Sequence, residues 1–292
     1  MPDPQKLSNV FITGATDGLG RGAAEFLAAR GYRVFAAGRS PERLDSLARF
    51  AKEKNLPIEP LSLDVTSDSS VAAAVAEAER RSGSLDVLIN NAGIGIGAVM
   101  EEISLADLYK QFETNFFGVV RVTQRVLPAM RARRRGRILN MSSIAGKVAS
   151  PVMGPYSSSK HALEGLSDSL RLEMHPFGVH VILIEPGYVH TSITRNATEL
   201  SAAYVANAEK SPYRSVYEGF QKSWQETMKR SNYMPEDCAR VILRAIEDAP
   251  PRARYLVTRD AKIASRLKWL LSDRLFDNLM IKRFGLGASG HK

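Results

Sequence analysis

Seven short apolar runs, set apart by segments with helical spacing, constrain this chain more than any other feature. They occupy residues 9–13, 32–37, 58–63, 87–90, 137–141, 179–184 and 254–257. They lack the strict apolar and polar alternation of a strand wetted on one face, so each is expected to be buried on both. Strands that alternate with helices build βαβ units around a parallel sheet. Ser40 before Pro41 and Ser104 before the 105–133 segment read as helix N-caps, where a side-chain oxygen accepts from an N–H that the helix leaves free. A chain of 292 residues suits one domain, and no internal repeat or low-complexity linker divides 1–292. With 44% hydrophobic and 24% charged residues, a disordered or fibrous chain is excluded. Two segments break the rhythm. Residues 186–235 are short of strand signals and read as a mobile loop or helical lid over a site. Residues 261–284 read as one amphipathic helix, with Ile263, Leu267, Leu271, Leu275 and Leu279 four apart.

The first run ends in Thr13-Gly14-Ala15-Thr16-Asp17-Gly18-Leu19-Gly20 and passes directly into a helix near Arg21. Glycines let the backbone turn sharply and approach a ligand, and the helix N-terminus offers free N–H groups to a pyrophosphate. Following the first strand of a βα repeat, this cluster points to a dinucleotide. The expected fold is therefore a doubly wound, Rossmann-like parallel sheet of about seven strands, with helices on both faces in three α/β/α layers. The end of the second strand selects the dinucleotide: an acid there suits the ribose 2′-OH of NAD(H), whereas Gly38-Arg39 presents a guanidinium suited to a 2′-phosphate. NADP(H) is favoured over NAD(H), with Asp17 as the residue that works against a phosphate.

Tyr156 and Lys160 lie four apart, on one face of a predicted helix. A free phenol has a pKa of about 10, and a neighbouring cation stabilises phenolate and draws that value down. Such a phenol can donate and recover a proton.

With these residues in place, the chain resembles the short-chain dehydrogenase/reductase family, of the single-domain type with a Thr-Gly-x-x-x-Gly-x-Gly cofactor loop. The resemblance covers about residues 8–192. It also takes in Asp64, Asn90-Asn91-Ala92-Gly93, Asn115, Ser143 and Pro186-Gly187-Tyr188-Val189-His190-Thr191. It implies that Gly14, Thr16, Asp17, Gly18, Leu19, Gly20 and Arg39 hold the cofactor, that Asp64 and Val65 contact adenine, and that Asn91 lines the cleft. Pro186, Val189 and Thr191 would hold the nicotinamide end. Ser143 and Tyr156 would bind the substrate oxygen and stabilise its developing charge. In the reductive direction hydride goes to a carbonyl carbon and Tyr156 protonates the alkoxide. Lys160 would hold the nicotinamide ribose and lower the Tyr156 pKa, and Asn115 would connect Lys160 through water to bulk. Family members commonly pair through their two longest helices, here 105–133 and 155–176, which implies a homodimer or homotetramer. Residues 166–191 look most like members acting on steroids, retinoids or long-chain lipid ketones, so the expected activity is NADP(H)-dependent hydride transfer to a bulky apolar ketone or aldehyde. A 3-oxoacyl-thioester reductase and a non-enzymatic dinucleotide sensor are the alternatives.

The net charge of +9 is concentrated at the end, where residues 252–292 hold ten Lys/Arg and three Asp. A terminal excess is not the groove of a nucleic-acid binder, and none is expected as partner. The run Arg131 to Arg137 reads as a solvated helix end whose cations complement the dipole. No metal is expected, because the five histidines show no ligand spacing. His161 and His190 are placed near the cleft without a role, and Cys238 reads as a packed residue. One cysteine, an opening without an apolar run, and no membrane-length apolar stretch suggest a cytoplasmic protein. The basic tail, 259–292, carries Trp269, Phe276 and Phe284 beside Arg266, Lys268, Arg274, Lys282 and Arg283. It can pack on protein, or lie peripherally on an anionic membrane.

Overall fold

The computed structural model describes residues 8–287, with the backbone alone for 192–198. The expectations for the opening residues, 1–7, and the last of the tail, 288–292, lie outside the described residues. Seven strands form one parallel sheet: β1 Asn9–Thr13, β2 Arg33–Gly38, β3 Ile58–Ser62, β4 Val87–Asn90, β5 Gly136–Met141, β6 Val179–Glu185 and β7 Arg254–Leu256. Their spatial order is β3-β2-β1-β4-β5-β6-β7. β2 begins one residue later than the apolar run because the Tyr32 N–H is bonded to the Leu27 carbonyl, 3.2 Å away, at the end of the preceding helix. The chain builds outward from β1 to β3 and then returns to lay β4 on the other side of β1. That reversal opens a crevice at the carboxyl ends of β1 and β4.

Successive residues along each strand enter opposite cores. Val10, Ile12, Val34, Ala36, Val87 and Ile89 pack with α1 (Gly18–Ala28), α2 (Pro41–Glu53) and α9 (Pro235–Glu247). Phe11, Phe35, Leu88 and Ile138 pack with α3 (Asp68–Ser82) and α5 (Gly118–Ala132) on the other side. This two-sided burial is why the strands read as continuous apolar runs. Cys238 belongs to the first core, and burial pushes its thiol up to about 12.

Ser40 and Ser104 cap α2 and α4 (Leu105–Phe112), accepting from Arg43 N and Asp107 N. The 105–133 segment is continuous but not uniform, since a π turn at Glu113–Phe117 separates α4 from α5. Such a turn carries one extra residue per i→i+5 bond. α6 spans Gly154–Met174.

The arginine run is tied down more than a solvated helix end requires. Arg133 donates to Leu85 O and Arg134 to Pro176 O, while buried Arg137 donates to Ala245 O and Asp248 O, the free carbonyls at the end of α9. The 186–235 segment is largely helical, containing α7 (Ser192–Asn207) and α8 (Arg214–Arg230). The 261–284 stretch is two helices rather than one, α10 (Arg259–Leu270) and α11 (Asp273–Phe284). Leu271 and Ser272 are extended, Lys268 Nζ reaches Asp273 Oδ1 at 2.5 Å, and the four-residue spacing of leucines continues across the break without forming one face. Among the described residues, no helix is long and apolar enough to cross a membrane.

Candidate active site

The turn after β1 makes a close approach that only glycine permits. Gly14 and Gly18 have φ of +63° and +55°. A Cβ on Gly20 would stand 2.3 Å from Asn91 Nδ2 and 2.4 Å from Gly14 O, and one on Gly14 would stand 2.8 Å from Ala92 Cα. Asn91 Nδ2 donates to the carbonyls of Thr13 and Gly14, both at 3.0 Å, and Thr13 Oγ1 accepts from the N–H groups of Asn91 and Ala92. Asp17 caps α1 by accepting from Gly18 N at 2.7 Å. Gly18 and Leu19, in the first turn of α1, border the crevice, and the dipole of the helix favours an anion at that end.

A cleft of about 650 Å³ runs from this turn across the sheet edge. Gly14, Thr16, Asp17, Gly18, Leu19, Arg39, Asp64, Val65, Asn91, Ser143, Tyr156, Lys160, Pro186, Val189 and Thr191 all line it. Gly20 lies beneath the loop and Asn115 behind the wall; neither lines the cleft.

At one end stand Arg39, Ser40 and Arg43. Arg43 was not singled out from sequence, although it stands four residues after Arg39 in the first turn of α2. Its Nη1 pairs with Asp17 Oδ2 at 2.8 Å. The carboxylate expected to oppose a phosphate is thereby matched by a second cation. Asp64 accepts from Thr66 N and Thr66 Oγ1; burial works against its charge, but these bonds and Arg39 prevail and hold it below the usual range. Gly38 has no room for a side chain, since its Cβ would meet Thr16 Cγ2 at 2.5 Å.

At the other end Ser143 leaves β5 with an extended backbone. Its Oγ accepts from Ala145 N at 3.1 Å and donates to Pro186 O at 3.4 Å. Lys160, one turn along α6 from Tyr156, is buried, with Nζ donating to Met141 O at 2.8 Å and standing 5.7 Å from the Tyr156 ring centre. Burial pushes its ammonium down to about 8, with Glu164 one turn further on pulling the other way. The phenol departs from expectation, because burial raises it above 10 while Ser143 lowers it.

Asn115 is fully buried in the π turn. Its Oδ1 accepts from Ile94 N, and Nδ2 donates to Ile94 O and Ser159 Oγ. It makes no direct bond to Lys160. Gly93 lies between them, where a Cβ would be 3.3 Å from Asn115 Oδ1 and 3.9 Å from Lys160 Nζ. Thr191 Oγ1 is buried and finds no partner among the described residues. His161 and His190 turn instead to Ser157 O and Ser231 O and do not line the cleft. Among the described residues, no cluster of His, Cys, Asp and Glu is placed to hold a metal ion.

The glycine cradle, the α1 terminus, the arginine pair and the unpartnered Thr191 hydroxyl together fit a nicotinamide dinucleotide. The short chain dehydrogenase family model matches residues 8–201, and the chain belongs to this family. It is accordingly an oxidoreductase of CH–OH groups. It is similar to 3-ketodihydrosphingosine reductase of Bacteroides thetaiotaomicron, 42% identical over 194 residues that cover 66% of this chain and 68% of that one. NADPH-dependent 3-dehydrocapnine reductase of Ornithobacterium rhinotracheale is 31% identical over 278 residues, 93% of this chain and 95% of that one. Among solved structures, a short chain dehydrogenase/reductase from Burkholderia phymatum in complex with NAD superposes with a TM-score of 0.78 at 27% identity, covering 90% of this chain and 92% of the other.

Behind the site, Glu185 is fully buried between Lys147 Nζ at 3.0 Å and Arg254 Nε at 3.2 Å. Arg254 also pairs with Glu164 and Asp168. Burial and the facing Glu164 push Glu185 up to about 7, despite Lys147 and Arg254. Between about pH 4.5 and 7 the folded chain thus holds a proton that the unfolded chain has lost, so this group's contribution to stability falls as pH rises through that window. His180, lowered by burial, acts in the opposite sense, so the comparison must be with a variant. In urea melts at pH 5 to 8, the stability of the native chain relative to Glu185→Gln should fall by roughly 1–3 kcal/mol as pH rises. A pH-independent difference would show that Glu185 is ionised throughout.

Proposed function

We propose that the chain reduces a long-chain lipid ketone with NADPH. The observation that carries this reading is one cleft lined by an arginine pair at one end and by Ser143, Tyr156 and Lys160 at the other. Bound there, NADPH supplies the hydride. The chain's part is positional and electrostatic. Ser143 and Tyr156 bind the carbonyl oxygen, and the Tyr156 O–H passes its proton to that oxygen as negative charge develops on it. Lys160 orients the ribose end of the cofactor and supports the phenolate left behind. Asn115 locks Ile94 and Ser159 and so fixes the wall beside Lys160.

Arg39, Arg43, Ser40 and the N-terminus of α2 form a suitable cradle for a 2′-phosphate, in keeping with the NADPH dependence in the name of one relative. The lipid reading draws on the names of the two reductases and on the apolar lid seat. There Tyr217 and Ala208 pack on Val152, with Val99, Tyr213, Val216 and Phe220 around them. Self-association is proposed through α4, the π turn and α6, which leave Leu105, Tyr109, Phe117 and Leu172 exposed.

Tyr156→Phe should keep NADPH binding by fluorescence titration and lose ketone turnover by roughly 10²–10⁴-fold; retained turnover would remove Tyr156 from the acid's role. Arg39→Ala with Arg43→Ala should weaken NADPH by roughly tenfold or more and NADH little, each lost charge-assisted phosphate contact costing about 1.5–3 kcal/mol at most. Equal losses for the two cofactors would overturn the phosphate assignment. Light scattering should give at least twice the 32.1 kDa chain mass, and Tyr109→Glu with Leu172→Glu should lower it to one chain; an unchanged mass would place the interface elsewhere.

A further inference from the structure

The α10–α11 pair is docked by its inner side and leaves an unusual outer side. Ala261, Phe276 and Phe284 are buried. Phe284 stacks on Phe220 of α8 with ring centres 6.4 Å apart, Arg283 donates to Ser223 Oγ and Thr227 Oγ1, and Gly219 passes so close beneath Phe284 O that no side chain would fit. Facing outward are Ile263, Trp269, Leu270, Leu275, Leu279 and Ile281, with Trp269 84% and Leu270 67% exposed.

The distribution of charge identifies the occupant. Between 259 and 287 there are seven Lys/Arg and three Asp. One of the acids, Asp273, is matched by Lys268. Ile263, Arg266 and Leu270 follow one another on successive turns of α10, as Leu275, Leu279 and Lys282 do on α11. Apolar and cationic side chains therefore share a face rather than dividing the helix between them. A protein core covering that face would have to bury more guanidinium and ammonium groups than the segment's own three Asp could match. A lipid interface accepts both, taking the apolar groups at the acyl boundary and leaving the cations among phosphate headgroups, with Trp favoured at that depth.

We infer that the outer face of α10 and α11 is a docking surface for anionic lipid. It is joined to the active site by short contacts. Thr258 Oγ1, the cap of α10, accepts from Gly187 N in the turn that lines the cleft. From the same turn, Tyr188 meets Trp224, Trp224 stacks on Phe220, and Phe220 stacks on Phe284 of α11. Docking would hold the lid side of the enzyme against the bilayer that carries its substrate. That last consequence rests on the lipid-ketone reading above, whereas the docking itself does not.

The test is flotation of the full-length chain with vesicles of phosphatidylcholine alone and with about one third phosphatidylglycerol, at low and high salt. Binding to the anionic vesicles at low salt, weaker at high salt and absent from the neutral ones, is expected. Lys262→Glu with Arg266→Glu should reduce it by roughly tenfold or more, at about fivefold for each lost cation. Trp269→Ser with Leu270→Ser should do likewise, while reduction of a short water-soluble ketone by NADPH stays unchanged. No binding to anionic vesicles at low salt, or binding indifferent to both pairs of substitutions, would overturn the inference. So would a fall in solution mass in the Trp269→Ser, Leu270→Ser variant, which would make the face a contact between copies. Because flotation needs no turnover, failure of the lipid-ketone reading leaves its result standing.

Discussion

Four hydrogen bonds tie the turn after β1 to the end of β4: the Asn91 amide donates to the carbonyls of Thr13 and Gly14, and Thr13 Oγ1 takes the N–H of Asn91 and of Ala92. These two strands flank the point where the strand order reverses. Without the tie, two loops leaving a twisted sheet in opposite senses would splay, and the first turn of α1 would lose its fixed position over the crevice. The tie also explains the glycines. Gly14 and Gly20 are crowded by Asn91, Ala92 and one another, so that the close approach of backbone to backbone precedes any approach of backbone to ligand.

A second constraint acts beneath the catalytic end. Lys160 is placed where water is scarce, which lowers its affinity for a proton, and the protein compensates with Met141 O and the field of Glu164. Glu164 is in turn held by Arg254, which faces Glu185, which faces Lys147. Alternating charges thus continue behind the sheet edge, each reducing the desolvation cost of the next. β7, only three residues long, contributes Arg254 to this chain and is fastened to β6 by it as well as by the ladder.

The sheet was legible because burial on both faces leaves apolar runs with no competing pattern, and β1 and β4 begin and end where their runs do. The glycine loop, Arg39, Ser143, Tyr156 and Lys160 were legible because their chemistry depends on local spacing, and the fold brings them to one cleft. What the sequence concealed depends on distance. Arg43 acquires meaning only when α2 swings its first turn over Asp17, 26 residues earlier in the chain. The π turn at Asn115 leaves no periodic mark in the sequence; its amide is held across space by Ile94 and Ser159. The break at Ser272 was masked by a four-residue leucine spacing that crosses it, although Ser272-Asp273 is an ordinary start signal. The Tyr156 pKa was read from its charged neighbour alone; burial, which no spacing reports, pushes it the other way.

The α7–α8 pair depends on a different kind of contact from the sheet. Tyr217 donates to Glu102 and Tyr204 to Asp107, both at 2.6 Å, Gly97 N donates to Ser201 Oγ, and Tyr213 and Ser211 hold Glu101 and Glu102. These bonds join α7, α8 and the turn between them to the 97–107 segment beside the cleft. Its apolar seat is small, with Val152, Ala208 and Tyr217 as the buried members, whereas the two sheet cores extend across all three layers. Elements fastened by a few partly wetted hydrogen bonds and little buried apolar area open at far less cost than core strands. The architecture therefore separates two requirements. The residues lining the cleft are fixed beside the two large sheet cores, and α7 and α8 rest on the smaller one.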